Sequence, residues 1–294
     1  MPSLPEPWTV PPHHGPDNRD GRPPSPGSRD GLWRAPAAVV TGFLLGLLAT
    51  LMVEVVGHAF GSSLTHPSPA VLLVGNYVFD LAFVLAALYF SRPGRAPDPG
   101  ELGFRRTRLS RAAAAFALGA IAYYLGSLAY AAATNPHASD RLPSDLGINR
   151  YTAALIAATV FVCVFAPICE ELFFRGFLFG TLMRMRVRIG RLQLGPWLAA
   201  AIVAALFGLA HVGSAPAAYL LPLGFLGFVL CLIRWRTGSI YPCIALHSLN
   251  NCVALGVQRG WSVGVVLGLI AGSWAAIGLL SGPFARRAAP AGAL

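Results

Sequence analysis

Residues 151–183 read YTAALIAATVFVCVFAPICEELFFRGFLFGTLM, an apolar run interrupted by three charged side chains, Glu170, Glu171 and Arg175. A helix needs about 20 apolar residues to cross about 30 Å of hydrocarbon, and this run is long enough. Charges placed in mid-span cost roughly 2.5–3.5 kcal/mol each on insertion scales, so every one of them needs a partner or a task.

Outward from this run the pattern repeats. Largely apolar stretches occupy residues 36–60, 69–90, 111–133, 197–212, 216–233, 239–257 and 261–281. The expected fold is therefore an all-α polytopic membrane bundle of about eight transmembrane helices, with a site between spans four, five and seven. The fifth, Trp197 to Val212, is short for a span and is kept because dropping it spoils the charge pattern. Composition agrees: 55% of the 294 residues are hydrophobic, 12% are charged, and the mean hydropathy is +0.60, whereas soluble proteins are about 25% charged.

The net charge of +10 comes from arginine without a single lysine. These arginines lie mostly in short segments between apolar runs and form no basic, aromatic-interleaved face, which argues against nucleic acid. With eight alternating spans they sort by side. Arg19, Arg22, Arg29, Arg34, Arg92, Arg95, Arg105, Arg106, Arg108, Arg111, Arg184, Arg186, Arg188, Arg191, Arg234, Arg236, Arg286 and Arg287 share one side; Arg141, Arg150 and Arg259 take the other. Cytoplasmic loops carry the excess of basic residues, so both termini are expected in the cytoplasm. Arg175 alone lies inside a span. Arginine without lysine also suggests a GC-rich, bacterial genome, hence a bacterial cytoplasmic membrane.

Residues 1–34 are expected to form a disordered, proline-rich cytoplasmic tail, residues 35–283 the transmembrane domain, and residues 284–294 a short cytoplasmic tail. No signal peptide precedes the first span, which is expected to insert uncleaved. The five cysteines fall within spans without a CxxC pair and read as small packing residues; Cys169, beside the two acids, is the one to watch. The glycine spacings Gly42/Gly46 and Gly264/Gly268/Gly272 predict close packing between helices of the same chain.

The polar groups inside spans are few: Glu54 and His58 in span one, Asp80 in span two, Glu170, Glu171 and Arg175 in span four, His211 in span five, and His247, Asn250 and Asn251 in span seven. Glu171 and Arg175 stand at i and i+4 in the favourable order for an ion pair, which leaves Glu170, about 100° around the helix, to face another way. Pro167 removes a backbone donor just before the acids and predicts a kink. Phe207 and His211 share a face, as do His247 and Asn251. A free carboxylate, two imidazoles and a carboxamide drawn from three helices contain the parts for hydrolysis, a base for water and donors for an oxyanion. Glu170, His211 and His247 equally suit a zinc ion with one position left for water. The residue types do not choose between the two. Glu54, His58 and Asp80 belong to no motif and read first as packing hydrogen bonds, second as a substrate path; Asn250 reads as a helix contact more readily than Asn251.

Glu170-Glu171-x-x-x-Arg175, then Phe207-x-x-x-His211, then His247-x-x-x-Asn251, in this order on successive apolar spans, resemble the three motifs of the CAAX protease and bacteriocin-processing (CPBP, or Abi) family, over residues 151–257. The resemblance implies an intramembrane endopeptidase similar to the type II CAAX prenyl endopeptidases, acting on a membrane-embedded or lipid-anchored peptide. Carried onto this chain, it implies that Glu170 activates water with His211, that His247 and Asn251 stabilise the oxyanion, and that Glu171, Arg175 and Phe207 support the site. The family is described both as metalloproteases and as glutamate-dependent enzymes, so zinc stays open. His-Glu-x-x-His, rhomboid-type Gly-x-Ser-Gly and presenilin-type Gly-x-Gly-Asp sequences are absent. A non-catalytic scaffold or immunity factor of the same fold is the alternative, and a secondary transporter, for which no paired halves are visible, a weaker one. Prenylated substrates are not expected in bacteria.

One tension remains in the spacing. His247 lies about 12 Å past Ser239 and His211 about 22 Å past Pro196 from the same side, at about 1.5 Å per residue. A shared site therefore demands a tilted or submerged fifth helix and histidines within about 10 Å of one another.

Overall fold

The computed structural model describes residues 31–92, 94–135, 146, 148, 151–190 and 192–286. The expectations for residues 1–30 and for Arg141, Arg150, Arg191 and Arg287 fall outside them. Among the described residues are eight helical rods: α1 (Arg34–Ala59), α2 (Pro69–Ser91), α3 (Leu109–Thr134), α4 (Thr152–Leu182), α5 (Gly195–Ala210), α6 (Ala217–Thr237), α7 (Tyr241–Gln258) and α8 (Val263–Ser281). A two-stranded antiparallel hairpin, β1 (Arg188–Ile189) and β2 (Leu192–Gln193), joins α4 to α5.

The chain is an integral membrane protein built as an all-α polytopic bundle. Six rods are long and apolar enough to cross a membrane. The exceptions are instructive. The α5 helix has only 16 residues, about 24 Å of rise against about 30 Å of hydrocarbon, and α7 carries His247, Ser248, Asn250 and Asn251 on one short helix. These two helices, with His211 at the end of α5, supply four of the motif residues; α5 stays apolar and falls short in length, whereas in α7 the polar groups gathered to build a site reduce its span character. The large apolar side chains of α1, among them Phe43, Leu44, Leu48 and Leu51, face outward, as expected where lipid is the solvent.

Helix contacts follow the small residues only in part. In α1, Gly42 and Gly46 receive Phe83 and Phe79 of α2, to which a Cβ would come within 2.8 and 2.7 Å. A Cβ at Gly264, Gly268 or Gly272 would meet nothing within 4 Å. The expected packing within the chain therefore holds for α1 and fails for α8, whose glycine face lies open. Between α5 and α6, Gly208 and Gly227 allow near backbone contact; a Cβ on Gly208 would stand 2.8 Å from the Leu220 carbonyl oxygen.

Pro167 is buried within α4 and acts on hydrogen bonding. Just before it, residues Phe161–Phe165 adopt π-helical bonding, with the Ala166 amide donating to the Phe161 carbonyl, and a second π stretch spans Leu172–Leu178. Lacking an N–H, the proline leaves a carbonyl one turn earlier without a helical donor. Side chains of α7 take up this region: Ser248 Oγ donates to Cys163 O at 2.6 Å and Asn251 Nδ2 to Val162 O at 2.9 Å. A break in one helix is thus the attachment point of the next, and π turns of this kind recur at functional sites.

Candidate active site

Glu170 and Glu171 are consecutive, yet they face different surroundings. The Glu171 side chain is fully buried, and its Oε1 accepts from Arg175 Nη1 at 2.7 Å and pairs with His247 Nδ1 at 2.9 Å. Arg175, also fully buried, donates a second bond through Nη2 to the Gly227 carbonyl at 3.1 Å. Its guanidinium lies over the Phe207 ring, 4.3 Å from the centroid, a favourable cation–π placement. Phe207 in turn packs edge-on to His247 and Phe174 and against His211. One aromatic ring therefore ties together α4, α5 and α7.

Glu170 points to the other side. Its Oε2 is buried and accepts no hydrogen bond, with His247 Nε2 at 3.9 Å and His211 Nε2 at 4.0 Å. Both imidazoles thus meet at one carboxylate oxygen, well inside the separation that would have ruled out a shared site. His211 achieves this as the residue that ends α5, where its Nδ1 lies 2.8 Å from the Phe207 carbonyl.

His211 Nδ1 faces a carbonyl oxygen and His247 Nδ1 a carboxylate oxygen, so each carries hydrogen there. In the neutral rings both Nε2 atoms then present lone pairs to the Glu170 oxygen, a convergence of acceptors that requires a proton, a water or a cation among them. Separations of 3.9 and 4.0 Å exceed a direct hydrogen bond and match the reach of one bridging water.

Zinc can be judged on the same donors. Imidazoles whose Nδ1 is held by a carbonyl or carboxylate are what metal-ligating histidines show, and a carboxylate with two such rings is a recognised donor set. Among the described residues, however, no three His, Cys, Asp or Glu side chains are closed to ligating distance around one point. The donor chemistry fits a divalent cation, but the two carboxylate-to-imidazole separations, 3.9 and 4.0 Å, are wider than the about 3.4 Å between ligands of a tetrahedral site.

A cavity of about 1270 Å³ reaches this carboxylate. Glu170, His211, Asn251 and Cys169 are among its lining residues, and Glu54 and Asp80 contribute from α1 and α2. Asp80 departs from the packing expected of it, because its Oδ2 is buried without a hydrogen-bond partner. His58 does not join; its Nδ1 pairs locally with the Ser62 carbonyl at 2.9 Å. Asn251, rather than Asn250, makes the helix-to-helix bond, while Asn250 Nδ2 lies 3.4 Å from Asn251 Oδ1. Sequence reasoning missed Ser248, one position after a motif histidine and buried against α4; its signal was a hydroxyl facing the helix that Pro167 interrupts.

Comparison with known proteins bears on the same region. A family model described as type II CAAX prenyl endopeptidase Rce1-like matches residues 152–253, a segment running from the start of α4 to beyond Asn251. No solved structure matches the chain. Over the α4 to α7 segment, the chain is similar to the type II CAAX prenyl endopeptidase family.

Proposed function

We propose that the protein hydrolyses a peptide bond in a membrane-associated peptide, with Glu170 as general base. The observation that carries this reading is the Glu170 Oε2 atom, unpartnered, facing two imidazole nitrogens at the end of a large cavity. A water seated between Glu170 and His211 gives up a proton to the carboxylate as its oxygen attacks the carbonyl carbon. His211, held through Nδ1 by the Phe207 carbonyl, fixes that water. His247, once protonated, and the second N–H of the Asn251 amide donate to the oxyanion. Glu170 then returns the proton to the leaving nitrogen. Glu171 and Arg175 orient His247 and touch no reacting atom.

Glu170, His211 and His247 are the residues that would hold zinc, which supplies Lewis-acid polarisation and a more acidic water. The roles of the protein side chains in orienting these groups are the same in either case.

The test compares cells carrying the wild-type protein with cells carrying Glu170→Ala, at matched membrane levels, by mass spectrometry of new peptide termini. Fragments present only with the wild type support hydrolysis. Identical fragment profiles together with unchanged biological activity favour a non-catalytic scaffold.

A further inference from the structure

The cavity reaches the connections at one end of the bundle and stops short of those at the other, and the arginines identify the ends. Its lining includes Val212, Gly213, Ser214, Ala215 and Pro216 of the α5–α6 connection. It also includes Leu146 and Ile148, between α3 and α4, and Gln258 at the end of α7. The connections α2–α3, α4–α5 and α6–α7 contribute no lining residue. Those connections gather at the opposite end. The Arg106 amide donates to Arg286 O at 2.9 Å, the Arg286 amide to Phe104 O at 2.8 Å and the Ile240 amide to Gly103 O at 2.9 Å. Leu102 and Phe104 are buried there and close the bundle below the site, with Leu102 O against Gly176 of α4.

This closed end carries the arginine excess: Arg92, Arg95, Arg105, Arg106, Arg184, Arg186, Arg188, Arg236 and Arg286. At the end the cavity reaches, Arg259 is the one arginine among the described residues. Basic residues concentrate on the cytoplasmic side of membrane proteins. We infer that the cavity opens on the extracytoplasmic side, and that the peptide cut at Glu170 is presented from that side, as an exported lipid-anchored peptide or the extracytoplasmic flank of a membrane segment. A cytosolic lipidated C-terminus would meet the sealed end. The identity of the cut bond rests on the hydrolase reading above; the sidedness does not.

The experiment keeps the two apart. The five native cysteines are buried, so a single exposed cysteine can be read by a membrane-impermeant maleimide. Val212→Cys reports the open end and Ile189→Cys, on the β1–β2 hairpin, the closed end; both native side chains are exposed. In spheroplasts Val212→Cys should label at least ten times more than Ile189→Cys, with the order reversed in inverted vesicles and the wild-type chain unlabelled in both. Ser214→Cys replaces Val212→Cys if that variant fails to accumulate. Labelling of the open-end cysteine from the cytoplasmic side, or from neither side, overturns the inference. In the fragment comparison, Glu170-dependent cuts in extracytoplasmic segments support it, and cuts in cytosolic segments overturn it while sparing the hydrolase reading. Correct labelling with no Glu170-dependent cut overturns only the hydrolase reading.

Discussion

The two faces of α4 hold the same side chain in opposite states. On one, Glu171 is sealed, its Oε1 shared between a guanidinium and an imidazole while its Oε2 has no partner; on the other, Glu170 has an equally unpartnered Oε2 but borders a cavity. Burying a polar group without a partner is costly. The difference is one of access: Glu171 is locked among Arg175 and His247, while Glu170 lies where the cavity reaches it.

The strongest way to break this division is Glu170→Gln. It should lower fragment formation by about 10²–10⁴-fold, the usual worth of a general base, while the melting temperature in detergent stays near wild type. A large loss of stability would instead make Glu170 a structural residue. Glu171→Gln should show the reverse character. By leaving Arg175 buried without its partner it should cost about 3–5 kcal/mol of stability, with activity lost alongside folding; a well-folded, active Glu171→Gln protein would end the proposed contrast.

Gly227→Ala sharpens the comparison at the hinge between the faces. Its Cβ would stand 3.1 Å from Phe207 Cβ and 3.2 Å from Ala204 Cα, so α5 and α6 must part. About 1–3 kcal/mol of destabilisation is expected, together with reduced turnover as His211 shifts from Glu170. Unchanged turnover at unchanged stability would show that the α5–α6 spacing does not position that ring. Asp80→Asn has a smaller effect of opposite sign. Removing a carboxylate oxygen that lacks a partner should leave the melting temperature unchanged or raise it by the equivalent of about 1 kcal/mol.

The smallest effect belongs to Glu101, in the α2–α3 connection, whose carboxyl is held below the usual carboxylate range mainly by its hydrogen bond from Arg92. A depressed carboxyl stabilises the fold above its unfolded-state pKa and ceases to do so as pH falls through the lower folded value. Glu101→Gln should therefore leave neutral-pH activity unchanged and slightly flatten the loss of stability in acid, read by thermal melts below about pH 4.5. The pair is largely exposed, so a large loss at neutral pH would contradict this account.

Much of the site was legible along the chain. The order and spacing of Glu170, Glu171, Arg175, Phe207, His211, His247 and Asn251 point to three helices converging, and the i, i+4 rule pairs Glu171 with Arg175. The depth mismatch between His211 and His247 came from counting rise along ideal helices measured from the membrane surface. The short α5 ends at His211 itself, and the ring reaches Glu170 from that terminus. Asp80 was not legible as a cavity residue, because nothing in its own helix indicates which long-range neighbour it meets. Ser248 was likewise invisible, since its partner is a backbone carbonyl, and every residue has one. The α8 glycines misled for the opposite reason: their spacing is a property of one helix, whereas contact needs a second.

By itself, the sequence determined a lipid-embedded helical bundle, because runs of apolar residues and scarce charge leave the backbone no alternative in hydrocarbon. It also determined which rare ionisable groups needed an explanation. Tertiary structure alone decided that Glu171 is sealed and Glu170 open, since adjacent positions differ only by what packs against their sides of the helix. It alone decided that the cavity shuts at the arginine-rich end, because closure depends on residues 102–104 and 286 meeting across the bundle, a contact written in no local pattern.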